Sequence, residues 1–573
     1  MKNRVIAEMF DRIADILEFK GELPFRVLAY RKASRVIQDL RDDIESIWKE
    51  GKLEEIPGIG EGMAKKIDEY LSTGKMAKYE EASKSVPSSL IDLLNIQGLG
   101  PKTLSLAYEK LKVKNLEDLK RVIADGSLAK LPRMGEKKVE NINKGIQLFV
   151  ASHERMSLGI ALPVAERVIE ELKKAARVKR ISTAGSLRRL KETIGDIDIL
   201  SEGTDGEEII KKFTSLPSVE RALASGETKG SIIVEGGTQV DLRVVEPDSY
   251  GAALQYFTGS KDHNVKLREI AKKQGLKINE YGVFRGESRI GGKNEEDMYK
   301  AVGIPMMAPE LREDRGEIEA AIDGTLPNLV TLADIKGDFH VHSVYSDGSD
   351  SIMTIAEKGI SMGYGFIAIC DHSKSARYAG GMNEAALLKQ IAEIKKVNSR
   401  LKGKGFRLLT GIEVDIKADG SLDFSDEILK KLDLVVASIH SGFKQRVTER
   451  IVSAMKNRYV HIIGHPTGRL ISRREGYEVD LGKIMEAAKD TRTALEINAY
   501  YDRLDLSDIA CRKAKELGIT LAIGTDSHSI AHLDFMKFGL AVARRGWLEK
   551  PDLLNTLRTE TLLVRLKSKA KAR

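Results

Sequence analysis

The sequence lacks the features that mark several protein classes. Cys370 and Cys511 are its only cysteines among 573 residues, which excludes a disulfide-built scaffold and suits a reducing compartment. It has no apolar run of about eighteen residues and no secretory signal pattern after Met1. We therefore expect a cytoplasmic protein that neither crosses a membrane nor is secreted.

The composition is that of a large, charged, multidomain protein. Apolar residues make up 42% and charged residues 31%, so the chain can build real cores and still present a polar surface. Its length predicts three to five compact domains. The net charge of +8 allows an anionic partner without identifying one.

The character of the sequence changes along the chain. Residues 1–150 carry apolar residues at helical spacing, and short β-rich segments appear between 178 and 260. A charged segment with Gly and Pro (311–331) follows and is typical of a linker. From 334 onward, short apolar strands alternate with helices, with strands predicted at 337–342, 366–371, 407–414, 433–439, 460–464, 494–498 and 519–524. Seven such repeats predict a parallel (βα)7 barrel.

Two glycine hairpins in the helical region indicate nucleic-acid binding. IPGIGEGMAKKI (56–67) and IQGLGPKTLSLA (96–107) each place two glycines before a helix, namely Gly58 and Gly60, then Gly98 and Gly100. Glycine allows a tight turn and a close backbone approach, and the free N–H groups of the helix can bind phosphate. This helix-hairpin-helix pattern grips DNA without reading its sequence. A weaker third copy at 131–142 has Arg133 at the first glycine position and is also compatible with a purely structural turn.

The segment AGSLRRLKETIGDIDIL (184–200) predicts a nucleotidyltransferase site. Gly185 and Ser186 open a helix that can cradle phosphate oxygens, and Arg189 can hold the same group. Asp196 and Asp198 alternate on a predicted strand, and Asp241 can join them from a neighbouring strand. Three converging carboxylates suit two hard divalent ions, Mg²⁺ or Mn²⁺.

A second metal site is predicted in the C-terminal third, where strand after strand ends in a metal-capable residue. Because barrel sites lie at the carboxyl ends of strands, these residues are expected to converge. Histidine with carboxylate ligands suits Mn²⁺, Zn²⁺ or Fe²⁺, and nine ligands suggest up to three ions. The nine are His340, His342, Asp347, His372, Glu413, His440, His465, Asp526 and His528. Glu496 and Asn498, which end the sixth predicted strand, are candidates to support them.

Residues 1–310 resemble the family X DNA polymerases, DNA polymerase beta among them. The likeness rests on the hairpins, the GS…GDID pattern and the segment LQYFTGSKDHNVKLREIAKKQGLKINEYGVF (254–284). It implies that Tyr256, Phe257 and Gly259 pack against the incoming sugar. It also implies that Asn264 reaches the base or sugar edge and that Arg268 reaches the template minor groove.

The same resemblance places Lys66 where the family has a lysine that opens abasic sugars through a Schiff base. Phe25 and Arg26 stand where the family has a His-Lys pair, while Tyr30 is retained. Binding of a 5′-phosphate at the far side of a gap is the alternative role for Lys66.

Residues 334–570 resemble the PHP phosphoesterase domain, with all nine ligand positions present. This resemblance implies metal-assisted hydrolysis of a phosphoester, with Lys374, Arg377 and Arg469 as candidate phosphate contacts. The two resemblances imply a multidomain fold with α-helical helix-hairpin-helix N-terminal domains, an α+β palm and thumb, and a C-terminal PHP barrel. The implied division is a lyase-like domain (1–85), fingers (86–150), palm (151–250), thumb (251–310), linker (311–333) and barrel (334–573).

The implied activity is gap-filling DNA synthesis from dNTPs in base-excision-type repair. The barrel would supply metal-dependent 3′→5′ exonuclease or 3′-phosphoesterase activity, and AP endonuclease activity is a further possibility. The expected partner is gapped primer-template DNA, for which a monomer suffices. The alternative is a DNA-bound nuclease with vestigial polymerase activity.

Overall fold

The computed structural model describes residues 2–38, 44–56, 58–84, 86, 90, 93–96, 98–132, 134–153, 155–235, 237–471 and 474–571. Internal contacts divide the chain into two compact units. The first contains residues 1–154 with 472–474, and the second contains 155–471 with 475–573.

The first unit is helical. An apolar stripe of Ile6, Phe10, Ile13 and Leu17 is buried along the first helix, as three-and-four spacing predicts. The Phe10 ring meets the Tyr30 ring of the second helix edge-on, with centroids 5.7 Å apart. The helices are α1 (Lys2–Phe19), α2 (Pro24–Gln38), α3 (Ile44–Lys49), α4 (Glu61–Thr73), α5 (Ala77–Lys84), α6 (Pro101–Leu111), α7 (Leu116–Ala124) and α8 (Glu136–His153).

The glycine hairpins share one backbone design. In each of the two strong copies the first glycine has a positive φ, +98° at Gly58 and +86° at Gly98, and the second glycine caps the following helix. The turn is closed by Ile59 N donating to Ile56 O at 2.9 Å, and by Leu99 N donating to Ile96 O at 3.0 Å.

The weaker third copy repeats this backbone. Met134 N donates to Leu131 O at 3.0 Å, and Gly135 O accepts from Lys138 N, as Gly60 O does from Met63 N. Arg133 lies outside the described residues, so its place at the first glycine position stays a sequence observation.

The second unit begins with a five-stranded sheet in the order β2-β4-β7-β6-β5, covered by helices. Of the strand pairs that the structure describes in this sheet, β4 with β7 is parallel and the other three are antiparallel. Val240, Leu242 and Val244 are buried along β7, so the residues between them face the opposite side of the sheet. The elements are β1 (Met156–Ser157), α9 (Leu158–Ala175), β2 (Ile181–Thr183), α10 (Gly185–Arg188), β3 (Thr193–Ile194), β4 (Ile197–Glu202), α11 (Gly206–Phe213), β5 (Val219–Ser225), β6 (Lys229–Val234) and β7 (Thr238–Val245).

A smaller helical layer with a three-stranded antiparallel sheet follows, in the order β10-β9-β8. Its core includes Leu267, Val283, Met298 and Ile318. The elements are α12 (Tyr250–Thr258), α13 (Lys261–Lys273), β8 (Lys277–Asn279), β9 (Gly282–Arg285), β10 (Ser288–Gly291), α14 (Glu295–Lys300) and α15 (Glu317–Ile322).

The segment predicted as a linker is an ordered connection. Helix α15 lies within it, and Ile318 belongs to the preceding core. The Arg312 side chain is fully buried. Its guanidinium group donates to Glu295 at 2.6 Å and to the Met307 carbonyl at 2.7 Å. Pairing of this kind lets charged residues enter a core.

Residues from 337 onward form parallel sheets in the orders β11-β12-β13 and β14-β15-β16-β17-β18. Isolated parallel bridges, Val341 with Ser527 and His372 with Glu413, join the two sheets at both junctions and complete a barrel. The strands are β11 (Gly337–Val341), β12 (Phe366–Ile369), β13 (Arg407–Thr410), β14 (Glu413–Asp415), β15 (Val436–Ser438), β16 (Ile462–Ile463), β17 (Ala494–Asn498) and β18 (Leu521–Gly524). The helices are α16 (Ile352–Ser361), α17 (Glu384–Arg400), α18 (Asp426–Leu429), α19 (Val447–Met455), α20 (Leu481–Thr491), α21 (Asp508–Glu516), α22 (Met536–Arg545) and α23 (Thr559–Lys571).

One predicted barrel strand is interrupted in the structure. The stretch 407–414 is split into β13 and β14, which pair with different neighbours. A Cβ at Gly411 would lie 2.7 Å from both Cys370 Sγ and the Ile369 carbonyl, so the chain passes its neighbour too closely there for any side chain.

The barrel is packed against the five-stranded domain. Buried residues of both, such as Leu158 and Ala161 on one side and Leu504 and Phe538 on the other, belong to a single apolar cluster. A Cβ at Gly159 would lie 2.3 Å from Tyr501, which shows how closely the two surfaces approach.

Candidate active sites

The first candidate site lies on the open face of the five-stranded sheet. Asp198 of β4 stands opposite Asp241 of the parallel strand β7, and alternation along both strands keeps them off the core side. Asp196 lies one residue before β4 and is exposed. Burial, with repulsion from Asp196 and Asp241, raises the pKa of Asp198 to about 6. A carboxylate that resists ionisation in this way favours a bound cation.

The turn at Gly185 lies directly against the carboxylate of Asp198. Gly185 has a φ of +57°, and a Cβ added there would lie 2.2 Å from Asp198 Oδ2. Ser186 is the second residue of the short helix α10. The sequence-predicted phosphate cradle and the carboxylates are therefore immediate neighbours.

Arg189 lies at the end of this helix and is engaged inside the protein. Its Nε donates to Glu313 Oε1 at 3.0 Å and its Nη1 donates to the Thr258 carbonyl. The adjacent Arg188 makes a two-armed ion pair with Glu295 at 2.7 Å for each arm. Neither Glu313 nor Glu295 was among the predicted site residues.

The residues expected to close over a nucleotide lie on two consecutive helices. Tyr256 and Phe257 of α12 contact each other edge-on, with ring centroids 5.1 Å apart, and Gly259 follows that helix. Asn264 on α13 is buried; its Nδ2 donates to the Tyr256 carbonyl at 2.7 Å, and its Oδ1 accepts from Gln255 at 2.6 Å. One turn further on, Arg268 is half-buried.

The second candidate site is a buried cluster at the carboxyl ends of the barrel strands. Five imidazoles surround the single carboxylate of Glu413, at distances from 2.8 to 3.8 Å. These belong to His340, His342, His372, His440 and His465. Both oxygens of Glu413 are used, which suits a carboxylate that bridges two cations.

The remaining predicted ligands complete the cluster. Asp347 Oδ2 lies 3.3 Å from His528 Nε2 and 3.5 Å from His372 Nε2. Asp526 Oδ1 lies 3.1 Å from His342 Nε2. Eight of the nine residues fall into three overlapping groups whose ligand atoms lie within 4.8 Å of one another. These are His342, Asp347, His372 and His528; His340, His342 and Asp526; and His372, Glu413 and His440.

The cluster contains buried polar atoms without hydrogen bonds, as an ion site requires. Among the described residues, these include His340 Nε2, His342 Nδ1, His372 Nδ1, Glu413 Oε2 and His465 Nδ1. His372 Nδ1 and Glu413 Oε2 lie 2.8 Å apart yet are not in hydrogen-bonding geometry. Orphaned buried donors and acceptors are costly, so a divalent cation coordinated by these atoms fits the residues present.

The pKa values of His342 and His528 are shifted in opposite directions. Burial, with repulsion from His528 and His372, lowers the pKa of His342 to about 4, so its ring is neutral as a metal ligand must be. Burial also acts on His528, but its bond to Asp347 prevails and raises its pKa to about 9. A cation between Asp347 and His528 would take the place of that proton.

A supporting layer orients the ligands. Glu496 accepts from His340 Nδ1 at 2.7 Å and from the His465 backbone N–H at 2.6 Å, and Asn498 Nδ2 donates to both Glu496 and Asp526. Asp415, which holds His440 Nδ1 at 2.7 Å, was missed by the sequence reading. Its position two residues after Glu413 on β14 was the available signal, because alternate residues share a face.

The arginine that lies beside the barrel site is not the one expected from the sequence. Arg469 was a candidate phosphate contact, but it pairs with Glu192 at 2.7 Å and bonds the Leu504 carbonyl. Arg503, which was not predicted, lies 3.7 Å from Asp526 Oδ2. It follows β17 in a loop, where sequence periodicity gives no direction.

In the first unit, Lys66 differs from its neighbour Lys65. Lys66 Nζ donates to the Gly62 carbonyl at 2.6 Å and lies 5.7 Å from the centre of the Tyr30 ring. Partial burial, with repulsion from Lys78, lowers its pKa. Lys65 instead pairs with Glu61 at 2.6 Å.

In the described part of the chain, no helix is both long enough and apolar enough to span a membrane.

Family comparisons cover both halves of the chain. Residues 1–76 match a helix-hairpin-helix domain and residues 90–147 match a SAM-like helix-hairpin-helix tandem. Residues 253–313 match the DNA polymerase beta thumb, and residues 338–500 match the PHP domain. The predicted fold class is confirmed.

Individual relatives show the same division. The chain is 40% identical over 563 residues to the "DNA polymerase/3′-5′ exonuclease PolX" of Bacillus subtilis, covering 97% of each protein. It is 28% identical over 345 residues to "DNA polymerase lambda" of Arabidopsis thaliana, covering 54% of this chain and 62% of that one. A "probable phosphatase" of Thermoanaerobacter sp. is 32% identical over 233 residues, covering 38% of this chain and 89% of the relative. The chain therefore belongs to the family X DNA polymerases that carry a C-terminal PHP domain.

Proposed function

We propose that this protein is a DNA polymerase that fills short gaps during base-excision-type repair and carries a 3′→5′ exonuclease in its PHP barrel. The observation that carries the proposal is the presence of two separate clusters of metal-capable side chains on one chain. One joins Asp198 and Asp241 to a glycine turn, and the other gathers five imidazoles around Glu413, with Asp347, Asp526 and His528 beside them.

In the polymerase site, Asp196, Asp198 and Asp241 would hold Mg²⁺ or Mn²⁺, and Gly185, Ser186 and Arg189 would receive the triphosphate of a dNTP. Tyr256, Phe257 and Gly259 would face the sugar, Asn264 the base or sugar edge, and Arg268 the template. The Gly58, Gly60, Gly98 and Gly100 turns would grip the duplex backbone. The domain division inferred from the sequence belongs to this proposal.

In the barrel site, the nine ligands would hold up to three ions among Mn²⁺, Zn²⁺ and Fe²⁺. Divalent ions at either site would supply Lewis acidity to the reacting oxygens and neutralise phosphate charge. Glu496, Asp415 and Asn498 keep the ligand rings and Asp526 oriented, and Arg503 is placed to meet the charge of a substrate phosphate. Cleavage at abasic sites and removal of 3′-phosphates are further reactions for this site.

The supporting experiment uses a 5′-labelled primer on a one-nucleotide-gapped duplex with Mn²⁺, with and without the correct dNTP. Lengthening with dNTP and shortening without it are expected. Asp196→Ala with Asp198→Ala should abolish lengthening alone, and His340→Ala with His342→Ala should abolish shortening alone. The thermal melting of each variant controls for loss of fold.

Two results would contradict the proposal. Shortening under both conditions would favour a nuclease that kept only a polymerase's grip on DNA. Equal loss of both activities in either folded variant would exclude two independent sites.

A further inference from the structure

A chain of alternating charges runs from the polymerase site into the barrel. It starts at Arg189 and passes through Glu313 and Arg545 to Asp508, which also pairs with Arg315. Arg545 lies on α22 of the barrel and is only 4% exposed at its side chain, while Arg189 and Glu313 are 11% and 10% exposed. Such charges enter an interior only when each is paired.

Arg545 contacts both members of the pair that it joins. Its Nη1 donates to Glu313 Oε1 at 3.0 Å and to the backbone carbonyl of Arg189 at 2.8 Å, and its Nη2 bonds Asp508 at 2.9 Å. Glu313 Oε1 is the same oxygen that accepts from Arg189 Nε at 3.0 Å. One carboxylate oxygen is therefore shared between two guanidinium groups.

This sharing affects the charge that Arg189 presents. Although burial opposes it, the two arginines lower the pKa of Glu313, so this carboxylate is ionised at neutral pH. With Arg545 present, Glu313 divides its charge between two cations. Without Arg545, a larger share of the charge of Glu313 would act on Arg189 and compete with an incoming phosphate, with Lys191 as the other nearby cation.

We propose that Arg545 of the barrel is a positioning residue for the polymerase site, holding Glu313 and the Arg189 backbone so that Arg189 remains available to a triphosphate. The inference rests on the proposed nucleotide-binding role of Arg189. It makes nucleotide affinity of the polymerase depend on a residue of the exonuclease domain.

The neighbouring residue provides a matched control. Arg544 lies on the same helix and makes an equally close ion pair outside the barrel, to Glu310 at 2.7 Å, together with a bond to the Val330 carbonyl. None of the contacts described for Arg544 involves Arg189 or Glu313. A purely structural docking role predicts the same effect for loss of either arginine.

The test measures single-nucleotide insertion into a one-nucleotide gap by the full-length protein, with KM for the dNTP and kcat determined separately. Arg545→Gln should raise KM about tenfold, equivalent to ~1.4 kcal/mol, with little change in kcat. Arg544→Gln should leave both close to wild type. In an Arg189→Gln background, Arg545→Gln should add little, because the two changes act through one contact.

Three outcomes would overturn the inference, and a fourth would refute the proposed function on which it rests. Equal effects of Arg544→Gln and Arg545→Gln, or additive effects of Arg189→Gln and Arg545→Gln, would overturn the inference. If Arg545→Gln does not fold, Arg545→Lys keeps the charge but cannot span all three partners, and an unchanged KM for that variant would also overturn it. Absence of insertion by the wild-type protein would instead refute the proposed polymerase function.

Discussion

Replacing Gly185 by alanine should impair DNA synthesis while sparing the barrel activity. The backbone at Gly185 has a φ of +57°, a conformation that costs an L-residue roughly 1–2 kcal/mol. The added methyl group would also lie 2.2 Å from Asp198 Oδ2. Conformational cost and steric displacement therefore act together at this position.

The displacement sets the size of the effect. Carbon and oxygen atoms rarely approach within about 3.3 Å, so the Asp198 carboxylate must move by about 1 Å. Misplacement of a reacting group by about 1 Å costs on the order of a hundredfold in rate. We therefore expect Gly185→Ala to lower kcat/KM for nucleotide insertion about a hundredfold.

Gly237→Ala separates the two contributions. Gly237 has a φ of +76°, but a Cβ there meets no described atom within 4 Å. Both variants should bear the conformational cost in thermal melts, whereas only Gly185→Ala should lose insertion activity. The assignment of Asp198 to the reaction would be refuted if folded Gly185→Ala kept the wild-type kcat/KM for insertion. It would also be refuted if Gly237→Ala lost as much insertion activity as Gly185→Ala.

Two further predictions concern Glu496 in the barrel site and Lys66 in the first unit. Glu496→Gln removes the carboxylate that orients His340 and His465, so metal affinity of the barrel should fall about 10–100-fold, measured by metal titration of exonuclease activity, with insertion unchanged. Unaltered titration would show that these bonds do not set affinity. If Lys66 forms a Schiff base, Lys66→Ala should abolish borohydride trapping on abasic DNA while Lys65→Ala retains it, because partial burial lowers the pKa of Lys66 whereas Lys65 pairs with Glu61. Equal trapping by both variants would exclude that role.

Much of both sites was predictable from sequence because strand geometry fixes where residues point. Alternation along β7 separates the buried Val240 and Leu242 from Asp241, and the parallel pairing with β4 places Asp198 beside it. In the barrel, the carboxyl ends of successive strands must meet. A residue that follows such a strand, as His372 follows β12, is therefore directed to the centre.

Contacts between distant segments were not predictable in this way. Arg189 meets Glu313, which is 124 residues away, and Arg545, which is 356 residues away. Nothing in the local pattern around Arg189 distinguishes a phosphate ligand from a partner in an internal ion pair. Only the packing of the barrel against the five-stranded domain brings these charges together.

The segment that leads into the barrel shows that charged residues in a sequence are not always exposed. The charged composition of 311–331 predicted a linker, yet Arg312 and Glu317 are fully buried. Glu295 satisfies Arg312 at 2.6 Å, and His263 satisfies Glu317 at 2.7 Å, which offsets much of the cost of removing them from water. Since this segment is packed and the barrel shares an apolar cluster with the five-stranded domain, the barrel is docked against that domain rather than tethered by a free linker.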